Sequence, residues 1–213
     1  NHGRARYAGA PPHGWRWHAR SLFLDPDTGY FWGVDFSEEP YRFMSFDPEL
    51  ARFKRHDVPV PAHPETGKQT AGRLHCTPRA VDGWYYNVLG STFFRWRPDW
   101  DKGPEVEGLG TTFGDTIQMA MSPGRDRVYW VPRRKDTLVV MRYDIATGRK
   151  TALGFFKAPL VREFGYTCGN GAYGVNISRD GSFLVILDNG GFGRAFGGHP
   201  ALFLVELADA SGK

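Results

Sequence analysis

Residues 11–20, PPHGWRWHAR, concentrate side chains that can bind or react. His18 has the type of side chain that transfers protons near neutral pH, and Arg20 offers forked donors that fit a carboxylate. Trp15 and Trp17 present flat faces on which a sugar or aromatic ring can stack. Tryptophan also alternates here with polar residues, as in a β-strand with one buried face, so the two indoles could instead pack between sheets. The segment by itself leaves both interpretations open.

The composition of the 213-residue chain favours an all-β fold. It contains 27 Gly, 15 Pro and 15% aromatic residues, and long helix-forming stretches are almost absent, which is typical of many short strands joined by turns. The length suits one domain with a substantial core, and we predict a single domain over residues 1–213. No apolar run approaches the ~20 residues of a membrane helix, so we predict no membrane insertion.

Charge and cysteine content exclude some classes of partner and site. The 27 basic residues are scattered among 23 acidic ones, which argues against a nucleic-acid partner. The net charge of +4 suits a small anionic ligand or an acidic polysaccharide. Cys76 and Cys168 form neither a disulfide framework nor a CxxC metal motif, and the sequence does not decide whether they pair. The chain begins with Asn1 and has no initiator Met, so we expect a processed protein or a fragment.

The chain contains an internal repeat. The segments LDPDTGYFWGVDFSEEPYRFMSFDPELARF and MSPGRDRVYWVPRRKDTLVVMRYDIATGRK share a proline, a polar turn, an aromatic strand and a second strand that ends in aspartate. The separation is 21 residues both from Pro26 to Asp47 and from Pro123 to Asp144. A weaker copy lies between them and a fourth follows. Four units therefore start near residues 18, 73, 116 and 172, close to the ~40–50-residue period of propeller blades.

Each unit divides into four short strands. In the first unit these are HARSLFLD, YFWGVDF, YRFMSFD and RFKRHDVPV, and Asp-Gly, Thr-Gly and Pro-Asp pairs supply the turns along the chain. Four-stranded sheets arranged around an axis form a β-propeller. We therefore predict an all-β β-propeller with four blade-like four-stranded units in this chain.

Three segments resemble signatures of the broad bacterial β-propeller group. MSPGRDRVYWVPRR, YDIATGRK and ISRDGSFLVILD are similar to S-P-D-G-x-x-[LV]-[YF]-[VW] and [YF]-D-x-x-T-G. The group includes YVTN-type, gluconolactonase-like and virginiamycin B lyase-like proteins, and the resemblance spans about residues 18–210. It implies a fold rather than one activity, because this fold hosts hydrolases, lyases and binding proteins. It also implies export, so we expect a periplasmic or secreted protein.

Two arrangements of the ring remain open. The last unit offers AYGVNIS, SFLVILD and ALFLVELAD but no fourth strand. The N-terminal GRARYAGAP could complete that blade and close a four-bladed ring. The same segment could instead belong to a preceding blade, in which case the chain is part of a six- to eight-bladed ring. The missing initiator Met favours the second arrangement.

The first strand of each blade lines the channel of a propeller, and the loops that lead to these strands carry the ligand site. The leading segments here are GWRWHARS, GRLHCTPR, GDTIQMAM and YTCGNGAYGVN. The Gly-rich GGFGRAFGGH, residues 190–199, is a long loop that could reach the same mouth. We therefore predict one pocket lined by His18, Arg20, Arg73, His75, Asp115, Gln118, Tyr166, Asn170, Tyr173 and Asn176, with Trp15, Trp17, Arg194 and His199 as further ligand-binding residues.

This set suits β-elimination on a uronate-type or lactone substrate. The reaction needs a cation for the substrate carboxylate, a base for the α-proton and an acid for the leaving oxygen. Arg20 or Arg73 would supply the cation, and His18 or His75 the base. Tyr166 or Tyr173 would supply the acid. We predict a propeller that handles a carbohydrate or small anionic ligand, as a lyase or, alternatively, as a non-catalytic module that binds a glycan or a protein.

A metal-dependent lactonase of gluconolactonase type is the second alternative. The resemblance to gluconolactonase-like and virginiamycin B lyase-like proteins implies a divalent cation, Ca²⁺ or Mg²⁺, in the channel. The available oxygen ligands are Asp115, Asn170 and Asn176, which is poor in the carboxylates that a hard cation prefers. This departure from the gluconolactonase pattern argues against a calcium hydrolase.

Overall fold

The chain folds into four antiparallel sheets and one short helix. The computed structural model describes residues 9–18, 21–133, 138–166, 172–188 and 201–207. Three of the sheets have four strands, and the last has three within these ranges. The predicted all-β fold with four blade-like units is confirmed.

Each sheet keeps its strands in chain order. Blade 1 contains β1 (Phe23–Leu24), β2 (Phe31–Asp35), β3 (Arg42–Asp47) and β4 (Arg52–Pro59). Blade 2 contains β5 (Leu74–Cys76), β6 (Tyr85–Leu89), β7 (Thr92–Arg97) and β8 (Glu105–Thr111). Blade 3 contains β9 (Met119–Met121), β10 (Arg127–Trp130), β11 (Val139–Asp144) and β12 (Arg149–Phe155). The helix α1 (Lys157–Phe164) precedes blade 4, which contains β13 (Ala172–Ile177), β14 (Phe183–Asp188) and β15 (Ala201–Glu206).

The sequence repeat corresponds to the blade. Asp47 and Asp144 each end the third strand of their blade, and Pro26 and Pro123 each lie in the turn that precedes the second strand. The turn between β11 and β12 closes where the Gly148 N–H donates to the Asp144 carbonyl at 2.8 Å. Gly148 has a φ of 67° there, which glycine adopts without strain. The spacing found in the sequence therefore reflects one recurring sheet.

Neighbouring blades pack through aromatic and aliphatic faces. Between blades 1 and 2, the Trp96 ring lies 5.4 Å from the rings of Trp32 and Phe43. Between blades 2 and 3, the rings of Phe93 and Trp130 are 5.5 Å apart. The interface of blades 3 and 4 is mainly aliphatic and includes Val140, Val175, Leu184 and Ile186. Burial of these faces is the main force that holds the blades together.

The first strands of the blades lie side by side. The Leu74 N–H donates to Ser21 Oγ at 2.8 Å, which joins the start of blade 1 to β5. The Met119 N–H donates to His75 Nδ1 at 3.3 Å, which joins β9 to β5. The strands β9 and β13 are also in contact. The first strands therefore form the inner edge of the arrangement, as in a propeller channel.

Blade 4 has one covered and one exposed face. In blade 3, Val131 and Val140 face blade 4 and are 1% and 0% exposed. Leu187 and Leu202 occupy the equivalent paired positions of blade 4 and are 42% and 63% exposed. Within the described ranges, no core cluster combines residues of blades 1 and 4. Closure of the ring by GRARYAGAP stays a prediction, because residues 3–8 of that segment lie outside these ranges.

The helix α1 begins at Lys157 and contains most of the segment PLVREFG. It ends at Gly165, whose N–H donates to the Val161 carbonyl at 2.9 Å and whose φ of 63° is left-handed. Among the described residues, no helix has the length and apolar character needed to span a bilayer.

Candidate functional site

The connections between successive blades leave on one side, which we call the rim. Residues 60–73 join blades 1 and 2 there, residues 112–118 join blades 2 and 3, and α1 lies in the connection from blade 3 to blade 4. Arg133 follows β10 on the same side and pairs with Asp115. Short turns such as residues 48–51 and 145–148 occupy the opposite side. Loops on a rigid scaffold are the usual place for binding residues. The rim is therefore the side on which a site is expected.

A cavity of about 500 Å³, the rim cavity, opens between blades 2 and 3. Arg73 lies in its wall just before β5 and is partly buried. None of the described residues forms an ion pair with Arg73. On another wall Arg133 binds Asp115, with 3.3 Å between Nη1 and Oδ2. Arg73 and Asp115, two of the predicted residues, thus line one cavity. Its other lining residues are Thr70, Ala71, Gly72, Gly90, Thr116 and Ile117.

A second cavity of about 390 Å³ adjoins the first. Arg133 lines both, so the two spaces meet at its side chain. The remaining lining residues of the second cavity are His63, Glu65, Ser91, Thr111, Phe113 and Gly114. The two cavities thus lie on either side of Arg133 on the rim.

His75 lies in β5, two residues from Arg73. Burial and, to a smaller extent, the nearby Arg73 charge together lower its pKa from 6.5 to about 4. Its Nδ1 accepts the Met119 N–H. A neutral imidazole that accepts at Nδ1 carries its proton on Nε2. At neutral pH His75 therefore offers a hydrogen-bond donor, and its Nδ1 lone pair already has a partner.

Residues of blade 4 approach the same side of the molecule. The Arg133 guanidinium lies over the Tyr173 ring, 5.6 Å from its centre, and Gln118 lies close to Gly174. Asn176 is exposed on β13. Tyr173 is thereby brought next to the rim cavity through Arg133.

Tyr166 is part of the packing of blade 4. Its hydroxyl donates to Asp188 Oδ2 at 3.0 Å, and the pair is buried. The Tyr166 ring also meets Phe203 edge to face at 5.2 Å. These contacts fix the end of the connection from α1 against β14 and β15. The acid role predicted for Tyr166 stays a prediction.

The tryptophans of PPHGWRWHAR pack on blade 1. Trp17 stacks on Phe53 with 5.7 Å between the ring centres, and Trp15 meets the same ring edge to face. The Arg55 guanidinium covers Trp15 at 4.8 Å. The His18 carbonyl accepts the Ser21 N–H at 2.9 Å just before β1. Both indoles thus pack on the outer strand β4, and neither lines the rim cavity.

Several predicted residues lie outside the described part of the chain: Arg20, Cys168, Asn170, Arg194 and His199. Cys76 is a free thiol, and its Sγ donates to the Thr77 carbonyl at 3.3 Å. Burial raises the pKa of this thiol well above its usual range.

The described residues do not fit a divalent cation at the rim. They contain no group of three His, Cys, Asp or Glu side chains placed to share a metal ion. Asp115, the only carboxylate among the predicted ligands, binds the guanidinium of Arg133. A fixed positive charge beside the carboxylate opposes a second cation. We therefore assign no metal chemistry to these residues.

The sequence reasoning missed Arg133 and Phe113. Arg133 follows the second strand of blade 3, whereas the prediction used only loops that precede first strands. In a blade of antiparallel strands the end of the second strand returns to the side where the first begins. The repeat alignment contained that signal for Arg133. Phe113 carried no comparable signal.

Gly90 shapes the wall of the rim cavity, and Gly90→Ala should lower the free energy of unfolding by about 1–2 kcal/mol. Its φ is 62°, and an added Cβ would lie 2.9 Å from Thr70 Cγ2. The matched control is Gly108→Ala in β8, where a Cβ meets nothing within 4 Å and φ is not left-handed. Urea denaturation of both variants measures the difference. Equal losses would show that Gly90 has no special role.

Comparison with known proteins identifies the fold. Neither a family model nor a curated protein matches the chain. Among solved structures, a protein from Lactobacillus plantarum is 18% identical, with a TM-score of 0.54 over 87% of this chain and 56% of its own. Kuenenia stuttgartiensis hydrazine synthase is 13% identical, with a TM-score of 0.57 over 90% of this chain and 46% of its own. TolB from Acinetobacter baumannii is 16% identical, with a TM-score of 0.50 over 87% and 40%.

The chain spans about half the length of the solved structures that it matches. The likeness at this level of identity concerns the fold, and it agrees with the four repeated sheets. The chain has a β-propeller fold, and no family is identified for it.

Proposed function

We propose that the rim cavity binds a small carboxylate-bearing ligand, such as an acidic sugar. The observation that carries this proposal is Arg73: a partly buried guanidinium in the wall of a 500 Å³ cavity, with no ion pair to any described residue. A guanidinium that is partly removed from water and lacks an internal anion gains from a carboxylate with two acceptor oxygens. The cavity volume lies in the range of small-ligand sites.

The surroundings of Arg73 support an anionic ligand. Asp115 neutralises Arg133 across the cavity, so the charge of Arg73 remains for the ligand. The pKa of His75, held near 4 by burial and then by Arg73, keeps the imidazole uncharged at neutral pH. Thr70 lines the same space and offers a hydroxyl group to a polar ligand, whereas the buried Thr116 hydroxyl donates to the Gly114 carbonyl. The residues thus provide one strong positive charge within a polar cavity.

Binding is better supported than elimination. A lyase needs a group that accepts the α-proton. The Nδ1 atom of His75 already accepts a backbone hydrogen bond, and the Tyr166 hydroxyl is bound to Asp188. These contacts suit residues that hold a geometry, so they argue against His75 as the base and Tyr166 as the acid, while His18 and Tyr173 stay predictions for those roles.

Arg73→Met should weaken binding of galacturonate, used as the probe, by about 10- to 100-fold, because a hydrogen-bonded charge contributes roughly 1.5–3 kcal/mol. Isothermal titration calorimetry at low salt gives the affinities. The control is Arg97→Met, since Arg97 pairs with Glu105 on β8 and does not line the cavity. Galactose, which lacks the carboxylate, should bind much more weakly than galacturonate. Equal affinities for the two sugars, or unchanged binding by Arg73→Met, would refute the proposal.

A further inference from the structure

We propose that the site continues past Arg133 into the second cavity and takes an acidic oligosaccharide, with one sugar ring at Arg73 and a later ring stacked on Phe113. This inference rests on the proposed function, because it extends the same ligand along the rim. It assigns a binding role to Phe113 and a bridging role to Arg133.

Arg133 is held in place between the two cavities. Its guanidinium binds Asp115 on the side of the first cavity, and it lies over the Tyr173 ring. The Arg133 N–H also donates to the Asp115 carbonyl at 2.6 Å. A side chain fixed by an ion pair, a ring and its own backbone forms a rigid boundary that a ligand crossing from one cavity to the other must contact.

Phe113 is an exposed aromatic residue in an unfavourable backbone conformation. Its φ is 62°, in the left-handed region that bulky residues rarely adopt, and the side chain is 48% exposed. The fold therefore accepts an unfavourable conformation at a residue whose ring it does not bury. Residues with such strain cluster at ligand sites.

The loop around Phe113 is firmly anchored. The Thr112 N–H donates to the Ser91 carbonyl at 2.9 Å, and the Thr116 N–H donates to the Gly90 carbonyl at 2.8 Å. Thr112 Oγ1 donates to the Gly114 carbonyl at 2.7 Å. These bonds tie both ends of the loop to the turn between β6 and β7. The Phe113 ring is thereby presented from a fixed position.

Lys150 lies beside the Phe113 ring and is itself held by hydrogen bonds. Lys150 Nζ donates to the carbonyls of Leu109 and Thr111 at 2.6 and 2.8 Å, and it lies 5.7 Å from the centre of the Phe113 ring. Burial lowers the pKa of this lysine. An amine held by two carbonyls next to the ring limits how far the ring can move.

The chemistry of the second cavity suits a sugar ring. Phe113 offers a flat apolar face for the C–H face of a pyranose. Glu65 and His63 offer polar groups for hydroxyls, and the Glu65 N–H donates to His63 Nδ1 at 3.2 Å. Arg133, whose charge Asp115 balances, can donate to a glycosidic oxygen or a sugar hydroxyl at the junction. An acidic oligosaccharide thus has a guanidinium for a carboxylate at Arg73, donors at Arg133 and an aromatic face at Phe113.

The test compares galacturonate with trigalacturonate on wild type and Phe113→Ala by calorimetry. We expect wild type to bind the trimer more tightly than the monomer. Phe113→Ala should weaken trimer binding about fivefold to tenfold, the equivalent of roughly 1 kcal/mol of stacking, and leave monomer binding unchanged. Phe113→Tyr should restore trimer affinity. Phe164→Ala removes another exposed phenylalanine, from α1, and should change neither affinity.

Each outcome separates the two proposals. If the monomer binds through Arg73 but the trimer binds no more tightly, or if Phe113→Ala leaves trimer affinity unchanged, this inference is overturned and the proposed function stands. If neither sugar binds, both are overturned. Phe113→Gly relieves the left-handed conformation and also removes the ring, so a folded Phe113→Gly variant with full trimer affinity would likewise overturn the role of the ring.

Discussion

Asp25→Ala should lower the free energy of unfolding by about 3–5 kcal/mol, the loss expected when one member of a buried charged network is removed. Asp25 is fully buried at the end of the first strand of blade 1. Its carboxylate accepts hydrogen bonds from the Tyr85 hydroxyl and Thr28 Oγ1, both at 2.7 Å, and from Arg79 Nη2 at 3.2 Å. Without it, the buried Tyr85 hydroxyl of blade 2 loses its acceptor, and Arg79 loses one of its two carboxylate partners.

The matched control is Asp27→Ala. Asp27 binds the same Arg79 but is 59% exposed, and surface ion pairs contribute at most about 1 kcal/mol. Urea denaturation followed by tryptophan fluorescence measures both variants. The nearby carboxylate and burial raise the pKa of Tyr85 above its usual range, so loss of Asp25 should also lower the pH at which this tyrosine ionises. Similar losses from Asp25→Ala and Asp27→Ala would contradict the network.

Acid should destabilise the protein through His56 and His75. Burial lowers the pKa of each to about 4, from 6.5; the Lys54 charge adds to the effect at His56, and the Arg73 charge at His75. The opposing charge of Asp99 raises the pKa of His56 slightly. Below pH 6.5 these two histidines bind protons in the unfolded chain, whereas in the folded protein they stay neutral down to about pH 4. Stability is therefore present above pH 6.5 and falls through this window, by about 2 kcal/mol per histidine between pH 7 and 5.

Both histidines lie where blades meet. His56 Nε2 is 2.7 Å from Ser45 Oγ, and the imidazole stacks on Trp32 at 4.8 Å. Unfolding free energies at pH 7 and pH 5 should differ less in His56→Gln and in His75→Gln than in wild type. The exposed His13 supplies the control, since His13→Gln removes a histidine without touching either interface. Identical pH dependence in all four proteins would contradict the assignment.

The fold could be predicted because its signals are local and repeated. The 21-residue separation of Pro26 from Asp47 and of Pro123 from Asp144 follows from one turn and two strands. Turn residues and alternation then define the rest of the blade. Ring closure could not be predicted in the same way, because it depends on contacts between distant parts of the chain.

The site could be predicted only in part. The position of Arg73 and Asp115 before first strands placed them at one mouth, which the rim cavity reflects. The packing of Trp17 could not be predicted from PPHGWRWHAR alone, because its partner Phe53 lies in the outer strand of the same blade. Phe113 escaped prediction because its exposure results from a left-handed backbone conformation. Packing within and between blades, rather than the neighbouring residues in the sequence, determines such contacts and conformations.

Resistance to local opening should differ between the blades at the ends of the series and those at its centre. Among the described residues, each core cluster joins blades that are successive in the chain, so the couplings between them run from neighbour to neighbour, as in repeat proteins. Blades 2 and 3 are coupled on both faces, whereas the second face of blade 4 leaves Leu202 exposed. Cooperative opening should begin at the outer units of this series and reach the central pair last. The rim cavity is built on that central pair, so its geometry is insulated from fluctuations at either end.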